Sequence, residues 1–456
     1  MVIPLKGCLA IFGGFIIHFT LGTVYTFGNM NPYLTSYMKF YSKSPEINYP
    51  QSTWIFSLSL AGQGFSMALG GLIETRIGAR FTALFGSWFM SLGVILSSLT
   101  VKSYFVLISL TYGVMFGVGT GVAYSVAIAA AMKWFPSRKG LVGGIVAAGF
   151  GGGSLVFNQL QTFYINPDNV KANYTLDGDN YFDQPEILDR VPSCFIVLGS
   201  TYAAMQLLGA LLLFPVPPVG HSPDDQQQPL ILPQSSEEHQ HSRQSQEQQQ
   251  LQLSPRQLVK KPIFWILWLT FLVNAQSLVY ISSQYKAYGL YRQFDDHFLA
   301  ITGSVSSVFN SGTRVVWGLG HDLLGYWRPM LALCTGAAVL LATFYLSSSA
   351  AFYFIYVCLM FAFFAGNFAL FPAACAKLFG SKFFSVNYGL IFTGNAISAI
   401  LGAILTSAIK EAFGWLALFI TGASFSAAGV VLSLIFLALT RARSGQQEAY
   451  NRLEDS

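Results

Sequence analysis

The chain has 456 residues, 53% of them hydrophobic and only 10% charged, with a net charge of +5. Soluble domains carry roughly 25% charged residues, so a soluble globular protein is excluded, and the slight basic excess does not imply a nucleic-acid partner. An enzyme is not expected, because the sequence assembles no nucleophile, metal or cofactor constellation.

Apolar runs of about 20 residues match the thickness of a bilayer and predict transmembrane helices. Twelve occur, near 8–30, 52–72, 81–100, 104–131, 140–162, 193–214, 262–284, 298–319, 329–348, 350–373, 386–409 and 414–439. The 43 glycines fit such an all-α bundle, since small residues let helices in lipid approach closely. The first run follows a thin positive region at Lys6 and is long enough to span, so it is expected to remain as a helix. It carries His18 and Tyr25, then Asn29 and Asn31. The second ends at Gly71-Leu-Ile-Glu74-Thr75-Arg76-Ile-Gly78-Ala-Arg80, a short polar connection. The fourth holds Gly113, Gly117, Gly119 and Gly121 before Tyr124, and Lys133-Trp-Phe-Pro136-Ser-Arg138-Lys139 leads into a glycine-rich fifth.

With both termini placed in the cytoplasm, Lys and Arg fall about two to one on the inner side, as the positive-inside rule requires. The acidic loop 163–191 lacks the alternation of a calcium loop and reads as solvated. Its Asn173-Tyr-Thr175 is an N-glycosylation acceptor, which this orientation puts outside. Residues 215–261 turn to Gln, Ser, Pro and His and predict a disordered cytoplasmic linker. The linker separates an N-terminal bundle (1–214) from a C-terminal bundle (262–440), and residues 441–456 form a cytoplasmic tail. The five cysteines give no disulfide framework and read as small buried side chains. In the tail, Tyr450-Asn-Arg-Leu453 has the form of a sorting signal, which leaves the plasma membrane and the endolysosomal membrane both open.

The two halves repeat one another. Gly71, Thr75 and Gly78 recur at identical spacing as Gly318, Asp322 and Gly325, and Lys133-Trp-Phe135-Pro-Ser137 recurs as Lys377-Leu-Phe379-Gly-Ser381. Both matches fall in corresponding loops, which predicts two pseudo-symmetric six-helix bundles from an internal duplication.

Arg314 lies eight residues before Asp322, about 12 Å deep if that segment is helical. There it falls in the middle third of the apolar core. A guanidinium stays charged, and insertion at that depth costs roughly 2.5–3.5 kcal/mol. Of the 20 Asp and Glu residues, none lies in the middle of a predicted helix. Arg314 is therefore expected to meet a substrate carboxylate, for which its planar fork suits bidentate bonding. The structural alternative is that it bonds backbone carbonyls or reaches towards the inner interface. Asn310, one turn away, is expected to share the binding, with Asn395 facing the same cavity. Tyr25, Tyr124, Phe364 and Phe368 are candidate aromatic walls, and His18 is the remaining candidate for a proton role.

The loop pattern after the second and eighth helices resembles that of the major facilitator superfamily, over about residues 7–440. Gly117-x-Gly119-x-Gly121-x2-Tyr124 and Trp134-Phe135-Pro136-x-Arg138-x-Gly140 are similar to the branch of oxalate/formate exchangers and monocarboxylate transporters. Phe379-Gly-Ser-Lys382 and Asn387-Tyr388-Gly389-Leu-Ile-Phe-Thr393 resemble its exchanger side. The resemblance implies alternating access around a central cavity. It also implies gating contacts through Gly71, Glu74, Arg76, Gly78 and Arg80 and through Gly318, Asp322 and Gly325. Arg76 and Arg80 are expected to meet helix ends or carboxylates of the opposite bundle, and Asp322 to cap a neighbouring helix.

This chain departs from the branch at informative positions. Asn395 stands where oxalate exchangers carry a lysine, and Asn310 where monocarboxylate transporters carry an Asp. Their first-helix lysine is also missing, since the chain reads Tyr25-Thr-Phe27-Gly-Asn29, and Thr75 takes the acidic loop position with Glu74 displaced by one. A single fixed cation favours a monocarboxylate of the lactate, pyruvate and formate class. The missing carboxylates favour exchange or facilitated movement over obligatory proton symport. A carrier of a neutral or zwitterionic solute such as an amino acid, and a transport-inactive receptor on the same fold, are the competing readings. The expected partners are the small organic anion, the lipid bilayer, and a single-span ancillary subunit or sorting adaptor. No cofactor is expected.

Overall fold

The computed structural model describes residues 5–454 apart from 48, 169, 171, 173, 177–178, 217–251, 293, 295 and 348. Asn173, most of the Gln-rich linker and the side chains of Tyr450–Leu453 lie outside the described residues.

Among the described residues, eleven helices are long and apolar enough to cross a membrane. We number the membrane helices α1 (Leu5–Tyr41), α2 (Tyr49–Ile77), α3 (Ala79–Thr100), α4 (Phe105–Met132), α5 (Lys139–Ile165) and α6 (Arg190–Leu212). The second half has α7 (Pro262–Tyr291), α8 (Asp296–Leu324), α9 (Trp327–Phe344) and α10 (Ala350–Phe379). The helical stretch Phe384–Glu454 breaks at Gly414, where φ is 76°, into α11 before the glycine and α12 after it. The twelfth span, α8, is long enough at 29 residues but is made less apolar by Asn310, Arg314, His321 and Asp322. A small hairpin, β1 (Tyr174–Leu176) against β2 (Asp179–Tyr181), adds two strands to the loop between α5 and α6.

The helices outrun the apolar stretches that predict them because polar residues inside them find partners. The end of α1 was expected near residue 30, yet it continues to Tyr41 through a 3-10 segment at Gly22–Thr26. Asn29 donates to the Asn158 carbonyl at 3.1 Å, and Asn31 accepts from the hydroxyls of Thr35 and Ser52. With such groups satisfied, the helix does not have to end where hydropathy falls. The linker also departs from expectation at its far end. Pro255–Leu258 is helical, started by a capping box of Ser254 and Gln257. The Leu253 amide donates to the Phe379 carbonyl, and Asn387 donates to the Leu253 carbonyl. Of the cysteines, Cys8 is exposed rather than buried, and the other four are buried free thiols.

An even number of spans puts both termini on one side, here called the terminal side. The two bundles meet mainly along α2–α11 and α5–α8. At Gly318 of α8, a Cβ would lie 2.2 Å from the Gly140 carbonyl oxygen, and at Gly71 of α2 one would lie 2.3 Å from the Val386 nitrogen. Only glycine permits either approach, and the two positions correspond across the repeat. The duplication is equally visible in the loops that follow, where Gly78 and Gly325 take φ values of 81° and 76°.

Each glycine contact is backed by an acid, but the two differ. Asp322 accepts from the backbone N–H groups of Gly140 at 2.9 Å and Leu141 at 2.8 Å, so a carboxylate caps the positive end of α5 across the bundle interface. Thr75, the residue corresponding to Asp322, bonds its own helix at the Leu72 carbonyl. Glu74 works in its place: it pairs with Lys133 at 2.9 Å and accepts a hydrogen bond from Ser385 at the start of α11. Arg80 corrects the expectation of a contact with the opposite bundle. It donates to the carbonyls of Leu211 and Leu213 and lies over Phe214, closing the end of α6 in its own bundle. Arg76 is exposed in the last turn of α2.

A helix cap of this kind contributes about 0.5–2 kcal/mol. Asp322→Ala is expected to raise the ratio of open to closed terminal side by about two- to thirtyfold. Spin labels at Ser137 and Leu323, read as a distance distribution, report that ratio. An unchanged distribution would show that the cap does not hold the bundles together.

Candidate functional site

Arg314 is completely buried, at 0% exposure, where α8 meets α5. Its surroundings are neutral. Nε donates to Oδ1 of Asn310 at 3.1 Å, one turn earlier in α8, and Nη1 donates to the Ala147 carbonyl of α5 at 2.9 Å. The carbonyl bond is part of the structural alternative, and it crosses between the bundles. Phenyl rings lie on the guanidinium from two helices, with its carbon 4.7 Å from the centre of Phe368 and 5.6 Å from that of Phe150. Ring quadrupoles favour a cation by about 0.5–2 kcal/mol each. They ease the burial of the charge without cancelling it.

Among the described residues the Nη2 group has no hydrogen-bond partner within 3.5 Å, although the hydroxyls of Tyr25 and Tyr124 are close enough to interact with the guanidinium. Among the described residues Glu74 pairs with Lys133, and Asp322 has His321 Nδ1 at 3.6 Å, so no carboxylate in this set neutralises Arg314. Removing a charge from water costs several kcal/mol even after relaxation. A donor without a close acceptor beside an unneutralised charge is one that an incoming oxygen could take.

The aromatic groups expected from sequence gather at this point. Tyr124 is buried, its ring 5.2 Å from Phe150 and 5.8 Å from Phe392. Half-buried Tyr25 meets Phe150 edge-on at 5.5 Å, and both tyrosines are near enough to interact with the charge of Arg314. Phe364 packs on Phe368 at 5.0 Å. Among the described residues the hydroxyls of Tyr124 and of Tyr388, on α11, and Nδ1 of His18 are further buried groups with no partner within hydrogen-bond distance. His18 holds Tyr124 in place: its Nε2 lies 3.0 Å from the Tyr124 carbonyl, and the two rings are 4.5 Å apart. A carbonyl only accepts, so the neutral ring carries its proton on Nε2. Asn395 is buried in α11 beside Ala396, which touches Gly64 of α2. It is not among the described contacts of Arg314.

The sequence does not mark Phe150, Phe392 or Tyr388 as candidates for the site. Tyr388 and Phe392 stand inside the α11 motif quoted for the exchanger resemblance, so that motif held the signal. Phe150 sits in a glycine-rich run in which nothing marks one ring from another.

Two of the bare groups offer a clean separation of fold from site. Removing a buried hydroxyl that lacks a partner is nearly neutral for stability, within about 1 kcal/mol. Tyr124→Phe and Tyr388→Phe are therefore expected to melt within about 3 °C of the parent while binding small carboxylates several-fold more weakly. A large loss of melting temperature in both would make these tyrosines structural.

Comparison with known proteins adds the lineage. Residues 9–386 match the family model described as Major Facilitator Superfamily. A Toxoplasma gondii protein named apicoplast pyruvate carrier 1 is 28% identical, over 90% of this chain and 84% of that protein. The oxalate:formate antiporter of Oxalobacter formigenes is 26% identical, over 79% of this chain and 76% of its own length. Among solved structures, a proton:xylose symporter superposes with a TM-score of 0.67 at 13% identity, covering 95% of this chain and 94% of that one. That likeness concerns the fold alone. Twelve helices in two repeated halves, a match to the family model over most of the length and relatives that are carriers rather than enzymes lead to one conclusion: the chain belongs to the major facilitator superfamily of membrane transporters.

Proposed function

We propose that this transporter carries a small monocarboxylate of the pyruvate class, with Arg314 as its anion partner. The observation that carries the reading is the bare Nη2 of a fully buried, unneutralised guanidinium. A carboxylate is acceptor-only and offers the oxygens that Nη2 and the hydroxyls of Tyr124 and Tyr388 lack. One fixed cation matches one negative charge. The neutral side chains at Asn310 and Asn395 leave a second carboxylate without a partner, which disfavours a dianion such as oxalate. The names of the relatives, a pyruvate carrier and an oxalate:formate antiporter, support this chemistry without fixing the substrate.

Movement follows from where the contacts lie. The Arg314–Ala147 bond and the Asp322 cap both cross from α8 to α5, so rocking of the bundles has to break or rearrange both. A carboxylate on Nη2 changes the charge balance at that interface and thereby biases the rocking. Exchange or facilitated movement fits this arrangement better than obligatory proton symport, because no carboxylate titrates beside Arg314 among the described residues. The excess of Lys and Arg in terminal-side loops supports cytoplasmic termini.

Uptake into proteoliposomes tests the reading with labelled pyruvate, lactate, formate and oxalate. Pyruvate or lactate is expected to exchange fastest. Arg314→Ala is expected to lose about 100-fold or more of that rate, as expected for deleting one member of a buried charge pair, and Arg314→Lys to retain a small part of it. Faster oxalate exchange, or full activity in the alanine variant, would contradict the proposal.

A further inference from the structure

The α10 helix is made of two pieces, Ala350–Ala365 and Asn367–Phe379, joined at Gly366. In an unbroken helix the Gly366 amide would donate to the Ala362 carbonyl, four residues back. It donates instead to the Phe363 carbonyl at 3.1 Å, which leaves the Ala362 oxygen without its helical partner. A carbonyl freed at membrane depth has to find a donor on a neighbouring helix. Here α8 supplies it. The indole Nε1 of Trp317 donates to the Ala362 oxygen at 2.9 Å. The Thr313 hydroxyl, 2.6 Å from the Phe309 carbonyl of its own helix, lies 3.1 Å from the same Ala362 atom. The fit is close as well as polar, since a Cβ at Gly366 would lie 3.0 Å from the Trp317 ring.

Position gives this joint a role. Trp317 stands three residues after Arg314 on α8, and Phe368 stands two residues after Gly366 on α10. The Phe368 ring covers the guanidinium at 4.7 Å. A break lets one piece of a helix tilt against the other, so the place of that ring depends on what fixes the joint. The Trp317 bond fixes it to the same turn of α8 that carries the charge. From this arrangement we propose that Trp317 is a positioning residue for the substrate: it holds Phe368 against Arg314 and so keeps the carboxylate site dry and preformed. This deepens the carboxylate reading of Arg314 and rests on it. A guanidinium pairs more strongly with a carboxylate where water is excluded, and a preformed site binds at less ordering cost. Among the described residues Trp317 makes no hydrogen bond to Arg314, so its effect passes through Phe368.

The test is a double-mutant cycle on labelled pyruvate exchange in proteoliposomes of the full chain. Trp317→Phe keeps an aromatic ring and removes the donor. Its KM for pyruvate is expected to rise about two- to twelvefold, the worth of one buried hydrogen bond, with the maximal rate within about twofold of wild type. A purely structural tryptophan would lower the amount of folded carrier, and with it the maximal rate, but leave KM in place. Phe368→Leu is expected to raise KM as well. In that background Trp317→Phe is expected to add less than about twofold, because both changes act on one contact. Thr313→Val weakens the same tie, is expected to raise KM in the same direction, and decides the matter if Trp317→Phe does not fold. A KM that stays at the wild-type value in the folded variants would overturn the positioning role alone. So would a Trp317 effect that is undiminished in the Phe368→Leu background. A wild type that does not exchange pyruvate would overturn the carboxylate reading, and the positioning role with it.

Discussion

The buried charge of Arg314 is the constraint around which the interface between the bundles is arranged. Its neighbours stabilise a guanidinium in every way short of neutralising it. Asn310 orients Nε, the Ala147 carbonyl takes Nη1, and the rings of Phe150 and Phe368 lie against it. An Asp at the position of Asn310 would have made a permanent ion pair and left less charge for a ligand. A neutral amide keeps the geometry and leaves the charge unspent. His18 acts one layer out by fixing Tyr124, one of the groups near that charge.

The closure on the terminal side shows how one device differs between the repeats. In the second half the acid sits at Asp322 and bonds two backbone amides of α5 directly. In the first half the corresponding position is Thr75, and the acid one residue earlier reaches α11 through the Ser385 hydroxyl while pairing with Lys133. Glycine contacts at Gly71 and Gly318 are retained in both. The backbone approach is thus shared by the repeats, while the electrostatic latch differs. The α5–α8 seam carries the direct carboxylate cap, and it is also the seam on which Arg314 lies.

Much of this architecture was legible in the sequence, for identifiable reasons. Helix number and the repeat follow from apolar length and from glycines whose spacing recurs, because bilayer thickness and close backbone approach restrict the alternatives strongly. The polar span α8 could be recognised by the cost of its arginine. Helix ends were harder: Asn29 and Asn31 look like a boundary until their partners on other helices are known. The position of Arg80 predicts a contact between bundles, yet a long side chain in a loop can reach either bundle, and it closes α6 instead. The linker's last residues, Gln252 to Leu258, share the composition of what precedes them, and their anchoring to Phe379, Lys382 and Asn387 depends on segments far away in sequence. In the site, Arg314, Asn310, Tyr124, Tyr25 and Phe368 could be named from charge, spacing and motif. Phe150 could not, since it stands in a glycine-rich run with nothing to mark it among 40 phenylalanines.

The most direct test of the central claim compares pyruvate binding and empty-protein melting in the wild type and in Arg314→Met, using titration calorimetry and a thermal scan on purified protein. A buried charge that lacks a counterion contributes little to stability. The account therefore predicts that the methionine variant melts at the same temperature as the wild type or above it, and that it no longer binds pyruvate. Pyruvate binding that survives the substitution would contradict it, as would a variant that melts far below the wild type, which would make Arg314 a structural residue.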